Sequence, residues 1–484
     1  MEKFCIDDIT WHDLNMDDVL ERIDKSSSSV GKEYTAKALR TLVFDEEILK
    51  KRSRRADYLK DNKADADTLK KLFRNLGRTK KISFYDYIFR LKELESSSNT
   101  LHYILIILLI LAVVLIFINP VFGIIALVVM ISVNISVYFR KKAKIEGYFL
   151  SLKYLVSMIS CAGNVLKKTK LADPAFEDIN SGLEKVAGEL KGLKRGSWLL
   201  TNSVSGSLVD VVMDYIRMIF HVDIIRFNQM RKKALGNEKG INLLYACLGE
   251  LELALNICSY KDTLQYYCEP FFKEGVCIKA ADVYHPLVED PVSNSIDAEK
   301  SVLFTGSNAS GKSTFLKTVA LNQIFAQTIY TCLASSYETG FFKVLSSMAL
   351  SDNILGKESY FVVEIKSLRR IFDELSDVPV LCFIDEVLRG TNTKERIAAS
   401  SQILKSLASD NALVFAATHD IELTQILKDK MENMHFSETV NEREVLFDYK
   451  LKEGAADSRN AIKLLEVYGF DEKITQEALK MCLP

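Results

Sequence analysis

A glycine-rich segment, residues 306–313, constrains this 484-residue chain more than any other feature of its sequence. It follows the apolar run 301–304 and precedes a helical pattern, so it lies at a predicted strand-to-helix junction. Its pattern, G-x-x-x-x-G-K-S, suits a loop whose backbone N–H groups surround phosphates while Lys312 reaches the terminal ones and Ser313 ligates Mg²⁺. The predicted phosphate-binding residues are Gly306, Ser307, Asn308, Ala309, Ser310, Gly311, Lys312, Ser313 and Thr314.

Two carboxylates follow a second apolar run, Val380–Ile384. Asp385 is predicted to hold the Mg²⁺ shell, and Glu386 to orient or deprotonate the attacking water as the general base of hydrolysis. His419 follows the run 412–416 and is predicted to form a hydrogen bond near the γ-phosphate. These residues predict an ATPase that uses ATP and Mg²⁺, with Lys312, Glu386 and His419 as its catalytic side chains.

Short β-rich runs alternate with helical patterns from about residue 283 onward. This alternation predicts a mostly parallel sheet with helices on its faces. The predicted strands include Val302–Thr305, Phe361–Ile365, Val380–Ile384 and Ala412–Ala416. The region 1–100 and the region 145–260 show helical periodicity instead. Within the first region, the predicted helices are Met16–Ile23, Lys32–Leu42, Glu46–Leu59 and Thr68–Leu76.

Two uncharged apolar runs, 103–118 and 121–139, flank the dipeptide Asn119-Pro120. As helices of 16 and 19 residues they would be roughly 24 and 28 Å long, against about 30 Å for the hydrocarbon core of a bilayer. They therefore predict a two-helix transmembrane hairpin that contacts membrane lipid, with a buried hairpin of a soluble protein as the alternative. By the positive-inside rule, the flanking basic residues place the N- and C-terminal regions in the cytoplasm. These residues are Arg90, Lys92, Arg140, Lys141, Lys142 and Lys144.

Composition adds few constraints. The net charge of −1 gives no overall attraction to nucleic acid or membrane, so any such attraction has to come from local patches. The nine cysteines are scattered and form no C-x-x-C pair, which favours reduced cytosolic thiols over a disulfide framework or a zinc site. The N-terminus lacks the pattern of a cleaved signal peptide. The basic run 50–55 is interpreted as a solvated helix face, with DNA phosphates or anionic lipid as the alternative partners.

The C-terminal half resembles the ATPase of the DNA mismatch-repair MutS family, itself similar to ABC-type ATPases. The resemblance rests on residues 306–314, Phe383–Thr393 and Thr418-His419, and Arg389–Thr393 is its most discriminating part. Further matches are 284–287, 356–364, 447–451 and Asn460-Ala461, so that the resemblance covers about residue 251 to the end. It implies that Asn308 contacts nucleotide phosphates and that Ser359 reaches the γ-phosphate of the partner subunit's ATP. It also implies that C-terminal helices hold a homodimer.

The rest of the chain departs from the family pattern. The N-terminal helices are weakly similar to the family's core domain, and residues 249–252 to the end of its lever, but no mismatch-reading domain precedes them. The hairpin stands where a DNA-gripping clamp is expected, and Leu388 replaces a Gly that is usual in mismatch-repair members. The predicted fold is a C-terminal α/β P-loop NTPase domain, ABC-like with a mostly parallel sheet, preceded by an all-α core- and lever-like region that the hairpin interrupts. The predicted domains are a core-like module (1–100), the hairpin (101–140), a lever-like region (141–265), the ATPase domain (266–440) and a dimerisation segment (441–484).

Two functional hypotheses follow. The first is a membrane-anchored, dimeric MutS-like ATPase whose ATP cycle moves helical arms, with DNA as a candidate ligand and mismatch repair as a candidate role by resemblance. The alternative is a DNA-independent membrane ATPase or scaffold that acts on an unknown protein partner. A scaffold without turnover is disfavoured because Lys312, Asp385 and Glu386 are all present. An ABC transporter subunit is disfavoured because two spans are too few for a translocation pathway.

Overall fold

The computed structural model divides into two compact units. Unit 1 consists of Met1–Asp24, Ala36–Arg54 and Ile257–Pro484, and unit 2 of Lys25–Thr35 and Arg55–Asn256. These units differ from the predicted domain boundaries, because parts of the first 54 residues group with the C-terminal half of the chain. The described residues are 3–78, 91–92, 94, 98–194, 208–307, 309–348, 360–389, 391–409, 411–440, 445–456 and 470–482.

Unit 1 contains the β-structure. Its strands are β1 (Phe4–Cys5), β2 (Thr41–Leu42), β3 (Phe271–Phe272), β4 (Ile278–Val283), β5 (Asn294–Ala298), β6 (Ser301–Thr305), β7 (Ser336–Thr339), β8 (Lys343–Ser347), β9 (Val380–Asp385), β10 (Ala412–Ala417), β11 (Met431–Val440) and β12 (Val445–Glu453). Its helices are α1 (Asp8–Asp13), α2 (Met16–Ile23), α13 (Lys312–Ala326), α14 (Tyr360–Asp373), α15 (Thr393–Leu407), α16 (Glu422–Ile426) and α17 (Glu472–Cys482).

The main sheet of the described residues has the strand order β12-β11-β6-β10-β9-β8. All neighbouring pairs in it are parallel except β11 and β12, so the predicted mostly parallel sheet is confirmed. The strands β6 and β10 are buried along their whole length, as expected for strands covered on both faces. Because β6, β10 and β9 are adjacent and parallel, their carboxyl ends meet at one edge of the sheet. A second sheet has the order β3-β7-β4-β5.

The segment Phe361–Ile365, predicted to be a strand, is part of helix α14. Its aromatic and β-branched residues favour a strand locally. The buried residues of the helix α14, however, follow a helical spacing. They are Glu364, Ser367, Leu368 and Ile371. Four positions at intervals of three, one and three residues form one face of a helix, so tertiary packing overrides the local preference.

The helix α1 of unit 1 packs against the edge strand β8. Asp13 is 1% exposed, and its carboxylate accepts hydrogen bonds from the Ser346 hydroxyl at 2.7 Å and from the Met348 backbone N–H at 2.9 Å. Thr10 Oγ1 accepts from the Ser346 N–H at 3.1 Å. These contacts satisfy polar groups of an edge strand that would otherwise be open to pairing with another chain.

Unit 2 is helical in its described residues. It contains α5 (Lys63–Leu76), α6 (Thr100–Ile118), α7 (Pro120–Lys168), a 3₁₀ turn (Pro174–Phe176), α8 (Glu177–Glu189), α9 (Lys191–Lys194), α10 (Leu208–Phe220) and α11 (Val222–Gly236). Three further helices contribute residues to both units: α3 (Ser29–Arg40), α4 (Glu46–Asp61) and α12 (Glu238–Lys261). The four helices predicted in the first 100 residues are all present, with ends displaced by up to five residues.

The basic run 50–55 is not simply a solvated face. Arg55 is 4% exposed, and its guanidinium forms two hydrogen bonds of 2.7 Å to Asp178 and one of 3.1 Å to Glu250 within unit 2. Arg52, in unit 1, donates to the Thr328 carbonyl oxygen at 2.8 Å. Two of the five cations in this run are therefore hydrogen-bonded inside the protein, because a buried guanidinium group requires acceptors.

Glu252 of α12 caps the N-terminal turn of α3 in unit 2. Its carboxylate accepts from the backbone N–H groups of Ser27 at 2.5 Å and Ser28 at 2.9 Å, and from the Ser28 hydroxyl. Gly31 leaves room for it, since a Cβ there would lie 2.1 Å from Glu252 Oε2.

We expect Glu252→Ala to destabilise unit 2 by about 2 kcal/mol, because a buried and a partly buried N–H group at a helix start lose their acceptor. The measurement is the midpoint of urea unfolding in detergent micelles, followed by far-ultraviolet circular dichroism. Glu252→Gln keeps one carbonyl acceptor and serves as the control with a smaller loss. Equal midpoints for the Ala variant and the unmodified chain would contradict this capping role.

Three described helices are long and apolar enough to cross a membrane: α6, α7 and α12. They differ in how much of the apolar stretch is buried inside the protein, which is 22% for α6, 17% for α7 and 72% for α12. The apolar stretch of α12 therefore lies mostly inside the protein, whereas the apolar stretches of α6 and α7 are mostly exposed. The turn between them is tight, since a Cβ on Gly123 would lie 2.4 Å from the Ile116 backbone nitrogen.

Candidate functional site

The phosphate loop connects β6 to α13 in unit 1. Gly306, Ala309 and Gly311 have positive φ angles of 143°, 64° and 109°. A Cβ on Gly306 would lie 2.5 Å from the Phe436 carbonyl oxygen, so only glycine fits at that position. The predicted strand, loop and helix are therefore found in that order. Asn308 lies outside the described residues.

Lys312 is the first residue of α13 and extends back over the loop. Its ammonium group donates to the carbonyl oxygens of Gly306 at 2.8 Å and Ser307 at 2.7 Å. Burial lowers the pKa of Lys312, while the nearby carboxylates of Asp385 and Glu386 act in the opposite direction. A cation is thus fixed at the N-terminus of a helix, where the helix dipole and free N–H groups also favour an anion.

The two predicted metal ligands are in direct contact. Ser313 Oγ donates to Asp385 Oδ2 at 2.5 Å. Asp385 ends the parallel strand β9, and the loop behind it is fixed to the neighbouring strand because the Glu386 N–H donates to the Ala417 carbonyl oxygen at 2.9 Å. A hydroxyl and a carboxylate oxygen at this spacing are the oxygen ligands that Mg²⁺ prefers.

Glu386 is held from both sides. Its Oε1 lies 2.8 Å from His419 Nε2, and its Oε2 lies 2.5 Å from Arg389 Nε. The hydrogen bond from His419 is the main cause that lowers the pKa of Glu386, with Arg389 adding to it against the effect of burial. A carboxylate with a lowered pKa is ionised at neutral pH, as a general base needs to be. The sequence places His419 and Glu386 about 30 residues apart, and the adjacent ends of β9 and β10 bring them together.

These residues line one cavity of about 520 Å³ in unit 1. Its polar lining includes the loop residues 309–313 with Asp385, Glu386, Arg389 and His419. Its apolar and aromatic lining includes Val283, Val288, Pro291, Val292, Phe315, Phe436 and Tyr449. A nucleotide likewise combines charged phosphates with a flat base. In addition, the hydroxyl oxygen of the loop residue Ser310 is buried and has no hydrogen-bond partner among the described residues. A buried polar atom of this kind is expected to bind a ligand group or a water molecule.

Glu364 and Arg389 were not among the predicted site residues. Glu364 is 2% exposed on α14, and its carboxylate accepts a hydrogen bond from the Leu388 N–H, in the loop that carries Glu386. Burial raises the pKa of Glu364, and hydrogen bonds from the backbone N–H groups of Leu388 and Arg389 oppose that rise. The sequence signal that could have identified it is a single acid in the apolar run 360–365. Ser359, by contrast, lies outside the described residues, so its predicted contact with a partner subunit stays a prediction.

Leu388 occupies a backbone conformation that favours glycine. Its φ angle is 60°, yet its side chain is 4% exposed and packs in the core cluster below the main sheet. The sequence departs from the family's usual Gly at this position, and the burial of the leucine side chain offsets the backbone strain.

We expect Leu388→Gly to be more stable than Leu388→Ala by about 1 kcal/mol, because both lose the side chain but only alanine keeps the strain. The control is Leu404, a buried residue of α15 in the same cluster with an ordinary helical environment. At this helical position, Leu404→Gly is expected to be less stable than Leu404→Ala by about 1 kcal/mol. Thermal midpoints of the four variants test this, and the same order at both positions would contradict it.

Comparisons with known proteins find similarity in the part of the chain that carries this site. Residues 302–483 match the family described as MutS domain V. The chain is 28% identical over 302 residues to MutS protein homolog 4 of Homo sapiens, which covers 57% of this chain and 32% of the relative. It is 29% identical over 266 residues to DNA mismatch repair protein MutS of Natronomonas pharaonis, covering 52% and 30%. The MutS of Thermus thermophilus gives 29% over 217 residues, covering 44% and 26%. The chain thus spans about a third or less of the length of the curated relatives it matches.

Proposed function

We propose that this chain, whose residues 302–483 match MutS domain V, is a membrane-anchored and dimeric Mg²⁺-dependent ATPase of the MutS family. The observation that carries this proposal is the convergence of Lys312, Ser313, Asp385, Glu386 and His419 on one cavity of about 520 Å³. These are the cation, the metal ligands, the base and the imidazole that phosphoryl transfer to water requires.

Each side chain has a distinct role in the proposed reaction. Lys312 binds the terminal phosphates, and Ser313 and Asp385 would hold Mg²⁺, which supplies charge neutralisation on the phosphate oxygens when bound. Glu386 accepts the proton of the attacking water. His419, hydrogen-bonded to Glu386 at 2.8 Å, keeps that carboxylate oriented towards the γ-phosphate. The loop N–H groups from 309 to 311 bind the remaining phosphate oxygens.

The dimer is proposed through the ATPase domain. By the family resemblance, Ser359 of one subunit completes the site of the other, so that ATP closes the dimer and hydrolysis reopens it. The described part of the C-terminal segment supports a contact surface there, since Ile474 and Met481 of α17 are 53% and 88% exposed. These two residues are seven positions apart, so they lie on one face of the helix, which we propose packs against a second chain.

The membrane anchor is proposed to be the hairpin of α6 and α7. Phe117 and Ile118, next to the Asn119-Pro120 turn, are 87% and 76% exposed, and the apolar stretches of α6 and α7 are only 22% and 17% buried inside the protein. Such a surface is unfavourable in water and favourable in hydrocarbon. By the positive-inside rule, the basic residues after the second run support a cytoplasmic position for both ends of the hairpin.

DNA is the candidate load suggested by the names of the relatives, and a protein partner is the alternative. The alternative is favoured by the hairpin, which occupies the part of the chain where a DNA clamp is expected, and by the internal pairing of Arg52 and Arg55. Those two guanidinium groups are not available to DNA phosphates.

The experiment is ATP hydrolysis by the full chain in lipid nanodiscs, with and without mismatched duplex DNA, across a salt series. Basal hydrolysis that requires Mg²⁺ supports the ATPase. A stimulation by DNA that declines steeply with salt supports DNA as the load, and equal rates with and without DNA support the protein-partner alternative. Absence of hydrolysis in every condition, in protein that is folded by circular dichroism, would remove the proposal.

A further inference from the structure

The helix α10 packs against the end of the hairpin at which the second apolar run gives way to basic residues. His221, the residue after α10, has its Nε2 2.9 Å from the Asn134 carbonyl oxygen and its Nδ1 2.8 Å from His102 Nδ1. Further back along α10, Asp214 and Met218 line a small cavity together with residues 138–146 of α7. The helix α10 therefore lies along residues 134–146 of α7, a length of roughly 18 Å.

The face of α10 that points away from the hairpin is apolar. The exposed apolar residues of this face follow one another at intervals of one, three, one and four positions, so they form one stripe along the helix. They are Val211, Val212, Tyr215, Ile216 and Phe220, with exposures of 49%, 57%, 56%, 39% and 36%. The charges described on α10 do not interrupt this stripe, since Arg217 is buried and pairs with Asp214 at 2.9 Å. A contiguous apolar surface of this kind marks a contact with another apolar phase.

The position of α10 along α7 indicates that the apolar surface which the stripe contacts is the lipid bilayer. The same stretch of α7 carries Phe139, which is 55% exposed, and then the basic residues Arg140, Lys141 and Lys144. In a spanning helix, an exposed aromatic residue followed by cations lies at the level of the lipid headgroups. The helix α10 thus lies at the same level along α7 as Phe139 and these basic residues.

We propose that α10 contacts the lipids of the cytoplasmic leaflet through its apolar stripe, and that Arg140, Lys141 and Lys144 bind the phosphates of anionic lipids beside it. The inference rests on the proposed membrane anchoring. It adds a third membrane-contacting element, a selectivity for anionic headgroups, and a direct connection between the bilayer surface and α11, which follows α10 after His221.

The test is photocrosslinking of the full chain in nanodiscs that contain equal amounts of anionic and zwitterionic lipid. A benzoylphenylalanine residue is placed at Val212, on the stripe, and the products are identified by mass spectrometry. Two other positions calibrate the result: Ile107 in the middle of α6, which is 55% exposed, and Ile48 on α4, which is 40% exposed and belongs to unit 1. We expect lipid adducts at Val212 and Ile107 and none at Ile48.

Each other outcome overturns a specific claim. Lipid adducts at Ile107 but not at Val212 would overturn the inference and leave the proposed anchor intact. A chain-to-chain crosslink at Val212 would make the stripe an interface between two copies instead. Absence of lipid adducts at Ile107 as well would remove the proposed anchor and this inference together.

The cationic part is tested in the Val212-labelled protein with Arg140, Lys141 and Lys144 all replaced by Gln. In the unmodified background we expect anionic lipid to exceed zwitterionic lipid in the adducts by roughly 5-fold, since each cation near the surface favours anionic lipid. The triple variant should reduce this ratio to about 1 while total lipid adduct persists. An unchanged ratio would overturn the role of these three residues.

Discussion

Replacing Glu386 by Gln is expected to lower the rate of ATP hydrolysis at least 100-fold while ATP affinity changes by no more than about 3-fold. The amide has the shape of the carboxylate and can still contact Arg389 and His419, which lie 2.5 and 2.8 Å from the Glu386 oxygens. It cannot accept a proton from water. The loss is therefore confined to the chemical step, and the variant is expected to accumulate as the closed, ATP-bound dimer.

The measurement combines single-turnover phosphate release with equilibrium binding of ATP and with the oligomeric state by light scattering. Glu395→Gln is the matched control, since it removes one negative charge from an exposed residue of α15, close in sequence to the same loop. It should leave the rate unchanged. A Glu386→Gln variant that hydrolyses ATP at the unmodified rate would show that another group activates the water.

The parts of this site that could be predicted from the sequence are those with local signals. The glycine and lysine spacing of residues 306–313 specifies the loop, and the apolar runs that end at Asp385 and shortly before His419 specify strands whose carboxyl ends face the phosphates. The structure confirms these strands and places their ends together. The two apolar runs and their turn likewise predict the helices α6 and α7, although α7 continues far beyond residue 139, to Lys168.

The parts that could not be predicted depend on contacts between distant residues. Asp13 bonds to Ser346, 333 positions away, so nothing near the N-terminus indicates that it belongs to unit 1. Glu364 lies 24 positions before Leu388, and the segment around it resembles a strand because its role in the helix α14 is decided by packing. The left-handed backbone at Leu388 is also invisible in the sequence, since a leucine there gives no sign of positive φ.

Replacing Lys312 by Ala is expected to weaken ATP binding by roughly 30- to 150-fold, because charged hydrogen bonds to phosphate contribute about 2–3 kcal/mol. Lys312 is 5% exposed, and its ammonium group donates to the loop carbonyl oxygens of Gly306 and Ser307. Its position at the start of α13 means that no neighbouring cation on that helix can take its place. Lys317, the next lysine along α13, instead bonds to Asn15 at 2.8 Å.

Lys317→Ala is therefore the matched control, with the same loss of charge from the same helix and an expected ATP affinity within about 2-fold of the unmodified protein. Both variants are titrated with ATP in a calorimeter in the presence of Mg²⁺. Lys312→Ala is expected to weaken ATP binding, and Glu386→Gln is expected to slow turnover. The two variants therefore distinguish the phosphate-binding role of Lys312 from the water-activating role of Glu386. If Lys312→Ala bound ATP as tightly as the control, the phosphates could not lie over the loop, and the assignment of the cavity to a nucleotide would be wrong even though the carboxylates meet there.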